Sequence, residues 1–144
     1  MLDLNILQSG VRSSHKRLDA IEIVPNFVPG ATNPFIFVVC GMRANDFEAV
    51  KTCMELAESD LPAKFPDMNF IIAPIANPEG YDYAVTEDHT WTKTREFHAN
   101  GCRGTKISGN FPHNFEKFVE PCSEEYAGNE ALSTWEAKAI YERA

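Results

Sequence analysis

Phe70-Ile71-Ile72-Ala73-Pro74-Ile75-Ala76-Asn77-Pro78-Glu79-Gly80-Tyr81 is the stretch whose reading decides the fold. A short continuous apolar run bounded by turn residues fits a strand covered on both faces, so Phe70 to Ile75 reads as buried β-structure. Asn77-Pro78-Glu79-Gly80-Tyr81 then turns the chain sharply out of the sheet, because Pro fixes φ and Gly permits positive φ. Upstream, Phe35 to Cys40 is apolar at every position and is expected to be a central strand ended by Gly41. Leu18 to Val24 reads as a strand whose Asp19 and Glu22 allow one wet face. Ser9 to Arg17 and Pro25 to Pro34 read as loops. Asn45 and Glu48 have capping-box spacing. After them Phe47, Val50, Cys53, Met54, Ala57 and Leu61 recur at three and four, which predicts a helix with one buried stripe, stopped at Pro62. Ser133-Thr134-Trp135-Glu136 is read as a second capping box, with Ala137, Ile140 and Tyr141 on one stripe behind it.

The 144 residues suit one domain, 1–144, with a sizeable core. A formal net charge of −8 argues against a nucleic-acid partner, whose phosphates demand basic patches, so none is expected. No apolar run approaches the roughly 20 residues that span a bilayer, so no membrane partner is expected. Met1-Leu2-Asp3-Leu4 lacks the basic and apolar parts of a signal peptide. The expectation is that a leader has been removed or that the sequence begins inside a larger precursor. Cys40 and Cys53 fall on apolar positions and are read as free buried thiols. His89, His98 and His113 sit among polar residues and are read as loop histidines. No Gly-rich phosphate loop, nucleophile elbow or Cys-x-x-Cys spacing is present.

The order of these segments resembles the zinc carboxypeptidases (peptidase family M14). That family carries a strand, an Asn-Pro-[Asp/Glu]-Gly-[Tyr/Phe] turn, a Trp-x-Lys-x-Arg segment, an Asn-Phe-Pro sequence and a Pro-Cys-Ser-Glu sequence. Here they are Asn77 to Tyr81, Trp91-Thr92-Lys93-Thr94-Arg95, Asn110-Phe111-Pro112 and Pro121-Cys122-Ser123-Glu124. The resemblance implies an α/β fold: a partial mixed β-sheet flanked by helices, with strands at Leu4–Gln8, Leu18–Val24, Phe35–Cys40 and Phe70–Ala76. Only about the first half of the family domain is covered, so the domain is expected to be incomplete, and the helix pattern is still running at Ala144. The resemblance also implies a disulfide between Cys102 and Cys122, 122 − 102 = 20 residues apart. Closing a loop of that size is worth about 3 kcal/mol in the chain-entropy model. With it comes an extracellular, secreted location.

The same resemblance singles out departures. Active members read Gly-x-His-x-x-Glu where this chain has Gly41-Met42-Arg43-Ala44-Asn45-Asp46, so Arg43 and Asp46 stand at the two metal-ligand positions. A guanidinium has no lone pair to donate to zinc. Asn45 stands at a substrate-binding Arg, and Thr92 at the Arg that polarises the scissile carbonyl. Ser108 and Gly109 replace the Asn-Arg pair that grips a terminal carboxylate. The sequence Ser13-Ser14-His15-Lys16-Arg17 replaces the family's Ser-x-Glu-Gly-Arg entry. No catalytic residue and no bound metal are therefore expected in this chain, although zinc is the family's cofactor. Arg43 is expected to take the vacated metal position and to pair with Asp46.

Three functions follow as expectations. The first is a carboxypeptidase-like pseudoenzyme, or part of one, that has lost zinc-dependent hydrolysis. The second is a metallocarboxypeptidase whose longer form supplies a later His and Glu. The third is a non-catalytic module that holds a peptide or protein in the inherited groove. Because Phe35 to Cys40 carries no charge or proline, self-association through an uncovered sheet edge is also expected.

Overall fold

A computed structural model describes residues 3–8 (backbone only), 18–25, 28–30, 32–117 and 120–144. The expected loop at 9–17, with His15 and Lys16, lies outside the described residues, as do parts of the loop before Phe35. Four strands, β1 (Asp3–Gln8), β2 (Asp19–Val24), β3 (Phe35–Val39) and β4 (Asn69–Ala73), form one sheet in the order β1-β2-β4-β3. β1 pairs antiparallel with β2, and β2 antiparallel with β4, while β3 runs parallel to β4. The sheet is therefore mixed, as the resemblance implies. A parallel pair cannot be joined by a tight turn. The chain between β3 and β4 crosses one face as the helix α1 (Phe47–Glu58). Two more helices follow, α2 (Pro78–Thr86) and α3 (Trp135–Arg143).

β4 is the strand that the apolar run announced. Successive side chains of a strand point to opposite faces, and both faces here are covered. Phe70 and Ile72 pack with Ile23 and with Cys53 and Ala57 of α1. Ile71 and Ala73 pack on the other side with Ile107 and with Ala137 and Ile140 of α3. Truncating a fully buried isoleucine such as Ile72 to alanine typically costs about 2–5 kcal/mol.

The structure corrects several sequence expectations. Among the described residues Phe35–Val39 is the outer strand of the four and not flanked on both sides as its apolar run suggests. This matches the uncovered edge also expected there, with Phe35 47% and Ile36 38% exposed. A uniformly apolar run reports the wish to be covered, not the strand's place in the pairing order. On α1 only Val50, Cys53 and Ala57 of the expected stripe are buried, while Met54 is 39% and Leu61 40% exposed. The helix cap is Asp46, one residue beyond Asn45: its carboxylate accepts from Ala49 N at 3.3 Å. The cap of α3 is likewise Thr134, whose hydroxyl accepts from Ala137 N at 3.2 Å, and not Ser133. The turn at Asn77 does not merely leave the sheet; it opens α2, with Pro78 at the first helical position, where its missing N–H costs nothing.

Cys40 and Cys53 are not free thiols but a disulfide, with Cα atoms 6.3 Å apart and 13 residues of separation. Cys40 lies two residues beyond Val38, and both belong to the face on which α1 and Cys53 pack. The two sulfurs were therefore placed together by the strand's alternation and the helix's stripe. Cys102 and Cys122 are joined as expected. Bridging loops of these lengths constrains the unfolded chain by about 3 kcal/mol each.

One core residue is out of character. Glu136, in the first turn of α3, is 1% exposed, and its Oε2 has no hydrogen-bond partner among the described residues. Burial, reinforced by the negative charges of Glu96 and Glu79, pushes its pKa up from 4.5 to about 8. The folded chain thus holds this proton more tightly than the unfolded chain does. The contribution to stability is fully present below 4.5 and is lost as pH rises towards about 8, at about 1.4 kcal/mol per pH unit. Urea unfolding across that window should show the loss, and Glu136→Gln, neutral at every pH, should flatten the slope and leave the variant more stable than the parent above about pH 8. Parallel slopes in the two proteins would show that Glu136 is not the group responsible.

Candidate functional site

The site is built where β3 and β4 hand over to their following turns. Gly41 leaves β3 with φ +64, and a Cβ there would lie 2.9 Å from Pro74 O and from Val50 Cγ2, so the crossing fits only glycine. The turn that follows is pinned to the segment behind α2 by Ala44 N, which donates to Thr92 O at 3.0 Å. The buried Asn77 joins the same parts again. Its Nδ2 donates to Met42 O at 3.3 Å and to Lys93 O at 3.0 Å, and its Oδ1 accepts from Gly80 N at 3.1 Å. Gly80 is obligatory for that approach, since a Cβ would stand 2.5 Å from the Asn77 amide and from Lys93 O.

The Trp91–Arg95 segment is scaffolding in this geometry. Trp91 Nε1 donates to Lys93 O at 2.7 Å, and the Arg95 guanidinium stacks 3.5 Å from the Tyr83 ring and 4.4 Å from that of Trp91. Lys93 is buried, and its ammonium donates to Pro121 O at 3.2 Å and to Ser123 O at 2.9 Å. Burial pulls its pKa down, while the nearby carboxylates of Glu124 and Glu96 oppose the shift. Those two carbonyls flank Cys122, so Lys93 and the Cys102–Cys122 bridge hold the same wall. Asn110 performs the matching task farther on. Its Nδ2 reaches Ala127 O at 2.6 Å, Glu130 O at 3.0 Å and Ser133 Oγ at 2.8 Å, while its Oδ1 accepts from Thr134 N at 3.0 Å.

Between these supports lies a groove of about 380 Å³, where Arg43, Thr92 and Ser108 come together with Lys106, Glu124 and Glu125. Asn45, Asp46 and Gly109 do not line it. Asn45 Nδ2 donates to His89 O at 3.3 Å. Asp46 is exposed at the head of α1, and Gly109 faces a smaller hollow of about 130 Å³ beside Asn114. The expected pairing of Arg43 with Asp46 is not formed: both side chains are exposed, and no ion pair joins them among the described residues. The Asp46 carboxylate is engaged with the helix end instead, which is a stronger local claim on it because the capped N–H has no other partner.

Two pairs in the groove were not foreseen. The Thr92 hydroxyl donates to Glu124, and Lys106 pairs with Glu125. The two pairs join residues 32 and 19 positions apart, so no local pattern in the sequence marks them. Among the described residues no group of three or more His, Cys, Asp or Glu side chains is placed to hold a metal ion. His89 and His98 are tied into the structure, His89 through its ring edge against Phe47 and His98 through Nε2 to Gly104 O at 3.2 Å.

The fold is that of part of a carboxypeptidase domain. A family profile for zinc carboxypeptidase matches residues 10–143, and the chain belongs to that family. It is 38% identical over 117 residues to a Saccharomyces cerevisiae protein named inactive metallocarboxypeptidase ECM14, a match covering 74% of this chain and 27% of that one. It is 32% identical over 127 residues to carboxypeptidase B of Bos taurus, covering 78% and 30%. In structure it is similar to carboxypeptidase A from Helicoverpa armigera, with a TM-score of 0.84 at 21% identity over 97% of this chain and 37% of that chain. It is also similar to bovine thrombin-activatable fibrinolysis inhibitor, solved in complex with a tick carboxypeptidase inhibitor, with a TM-score of 0.79 at 24% identity. This chain covers 48% of that one, so the structural neighbours hold a fold that this sequence spans in part.

If Asn77 joins the two site turns as described, Asn77→Ala strands Gly80 N and Met42 O, while Lys93 O keeps its bond from Trp91 Nε1. Each unsatisfied buried group costs about 1–3 kcal/mol. Chemical denaturation should therefore show a loss of about 3 kcal/mol, and a loss below about 1 kcal/mol would show that the hub is dispensable.

Proposed function

We propose that this chain is a carboxypeptidase-like domain without zinc-dependent hydrolysis. The observation that carries the reading is Arg43 on the groove, at the position where the resemblance places a zinc-ligating His. Zinc enzymes of this kind use three protein ligands and leave a fourth position for water or substrate. Here the donor set does not fit the metal: Arg43 has no lone pair, and the Asp46 carboxylate is spent on the cap of α1. The second chemical element is altered as well. A cation that would polarise a carbonyl is replaced by the Thr92 hydroxyl, which is itself engaged with Glu124. Similarity to a relative named inactive supports the reading.

The groove itself persists, and this favours a non-catalytic role in which a peptide or protein segment lies against Arg43, Thr92 and Ser108. The chain spans 27% to 40% of the length of the first curated relatives it matches, so a longer form with further ligands is the competing reading. Two disulfides support an extracellular setting. Among the described residues no helix is long and apolar enough to cross a membrane.

Zinc titration by calorimetry, followed by a carboxypeptidase assay on the same sample, tests the reading. No stoichiometric zinc at micromolar free metal and no release of C-terminal residues are expected. One tight zinc per chain, with or without turnover, would falsify it.

A further inference from the structure

The turn leading into Cys102 carries a reactive pair of residues. A bridge between Phe97 and Arg103 closes this small hairpin, and inside it His98 N donates to Cys102 O at 3.0 Å. At its tip Asn100 and Gly101 are both exposed. Gly101 takes φ +84, and a Cβ built there would meet nothing within 4 Å, so no neighbour crowds the peptide between the two residues. The Asn100 side chain folds back along the chain, and its Oδ1 accepts from Cys102 N at 3.2 Å. A turn of this kind lays the carboxamide carbon over the intervening nitrogen, that of Gly101. The Cys102 N–H also polarises the carboxamide C=O, standing where negative charge gathers on that oxygen during attack. One bond opposes the reaction. Gly101 N donates to His98 O at 3.0 Å and must release that carbonyl first, which is easiest at an exposed loop tip. Asn100 is also the one asparagine in the sequence that precedes glycine. Asn33 and Asn77 precede proline, whose nitrogen has no proton to lose. The carboxamide of buried Asn110 is held at both ends.

We propose that Asn100 is a site of spontaneous covalent modification, converting to aspartate and isoaspartate in the folded chain. Gly101 N bonds to Asn100 Cγ, the Cγ–Nδ2 bond breaks, and Nδ2 leaves as ammonia with the proton from Gly101. The cyclic imide so formed takes up one water. Opening at Cγ gives an aspartate side chain. Opening at the backbone carbonyl gives isoaspartate, in which the chain runs through Cβ and Cγ. No reactant besides water is needed. Either product adds one negative charge to the −8 of the chain. Isoaspartate also lengthens the backbone by one carbon, two residues before a disulfide cysteine. That added atom disrupts the Asn100–Cys102 and His98–Gly101 bonds that shape the tip.

Incubation of the disulfide-bonded 144-residue chain at mildly alkaline pH, where the Gly101 nitrogen loses its proton more readily, tests this. Ion exchange should show more acidic forms building up with time. Peptide mapping by mass spectrometry should place both products at residue 100, carrying label there when the water is enriched in heavy oxygen. Conversion should be no slower in the folded chain than in the same chain unfolded in urea with its disulfides intact. Gly101→Ala, which crowds the attacking nitrogen and strains a φ of +84, should slow it. Asn100→Gln, which keeps a carboxamide but requires a larger ring, should lose the acidic forms over the same period and guards against an alanine variant that misfolds. An Asn100 that stays intact in the folded chain while the unfolded chain converts overturns the proposal. So do acidic forms that map to another asparagine, and so does their undiminished growth in Asn100→Gln.

Discussion

The carboxamide of Asn77 is the constraint on which the rest of the site depends. One buried side chain holds the exit of β4, the turn after β3 and the segment behind α2 at fixed separation through Met42 O, Lys93 O and Gly80 N. A buried amide is costly unless its donors and acceptor are matched, so the three stretches must arrive together or not at all. This all-or-none requirement explains why Gly80 stands beside it and why Pro78 begins a helix at that point. β4, covered on both faces, provides the rigid base from which the amide is presented.

Scaffold and chemistry have separate supports in this chain. Asn77, Lys93, Arg95 and Asn110 face inward and hold backbone carbonyls or aromatic rings. The groove is lined by Arg43, Thr92, Ser108, Lys106 and two glutamates, none of which holds the scaffold at its core. Replacements at the groove therefore leave the fold's main clamps intact. Lys106 with Glu125 and Thr92 with Glu124 show what fills part of the space: these two groups find carboxylates across the groove, on a loop secured by Lys93 and a disulfide.

Much of this architecture was legible because periodicity and motif order are local signals. The run at Phe70 and the stripe of Val50, Cys53 and Ala57 gave the central strand and its covering helix. Arg43, Thr92 and Ser108 were located on the groove by motif alone. The misses share a cause: each depends on a partner distant in sequence. The apolar run at Phe35 is indistinguishable from a central strand until the pairing order is known. Cys40 and Cys53 each look like ordinary apolar positions until strand and helix are superposed. Asp46 takes the cap from Asn45, and Thr134 from Ser133, because adjacent residues of similar chemistry differ only in which one reaches an orphan N–H. The Arg43–Asp46 pair failed for the same reason, since spacing along a turn says nothing about a competing claim on the carboxylate.

The two disulfides have a topological meaning beyond their stability. Cys40 and Cys53 close a covalent ring that contains Met42 and Arg43, and Cys102 and Cys122 close another that contains Lys106 and Ser108. Opposite walls of the groove thus belong to two separate macrocycles threaded on one chain. A protease cutting once inside either ring releases no fragment: the severed ends stay tethered across the sulfur bridge. The groove's lips can therefore be nicked without being shed, and a break there is visible as a change in chain length only after the thiols are restored.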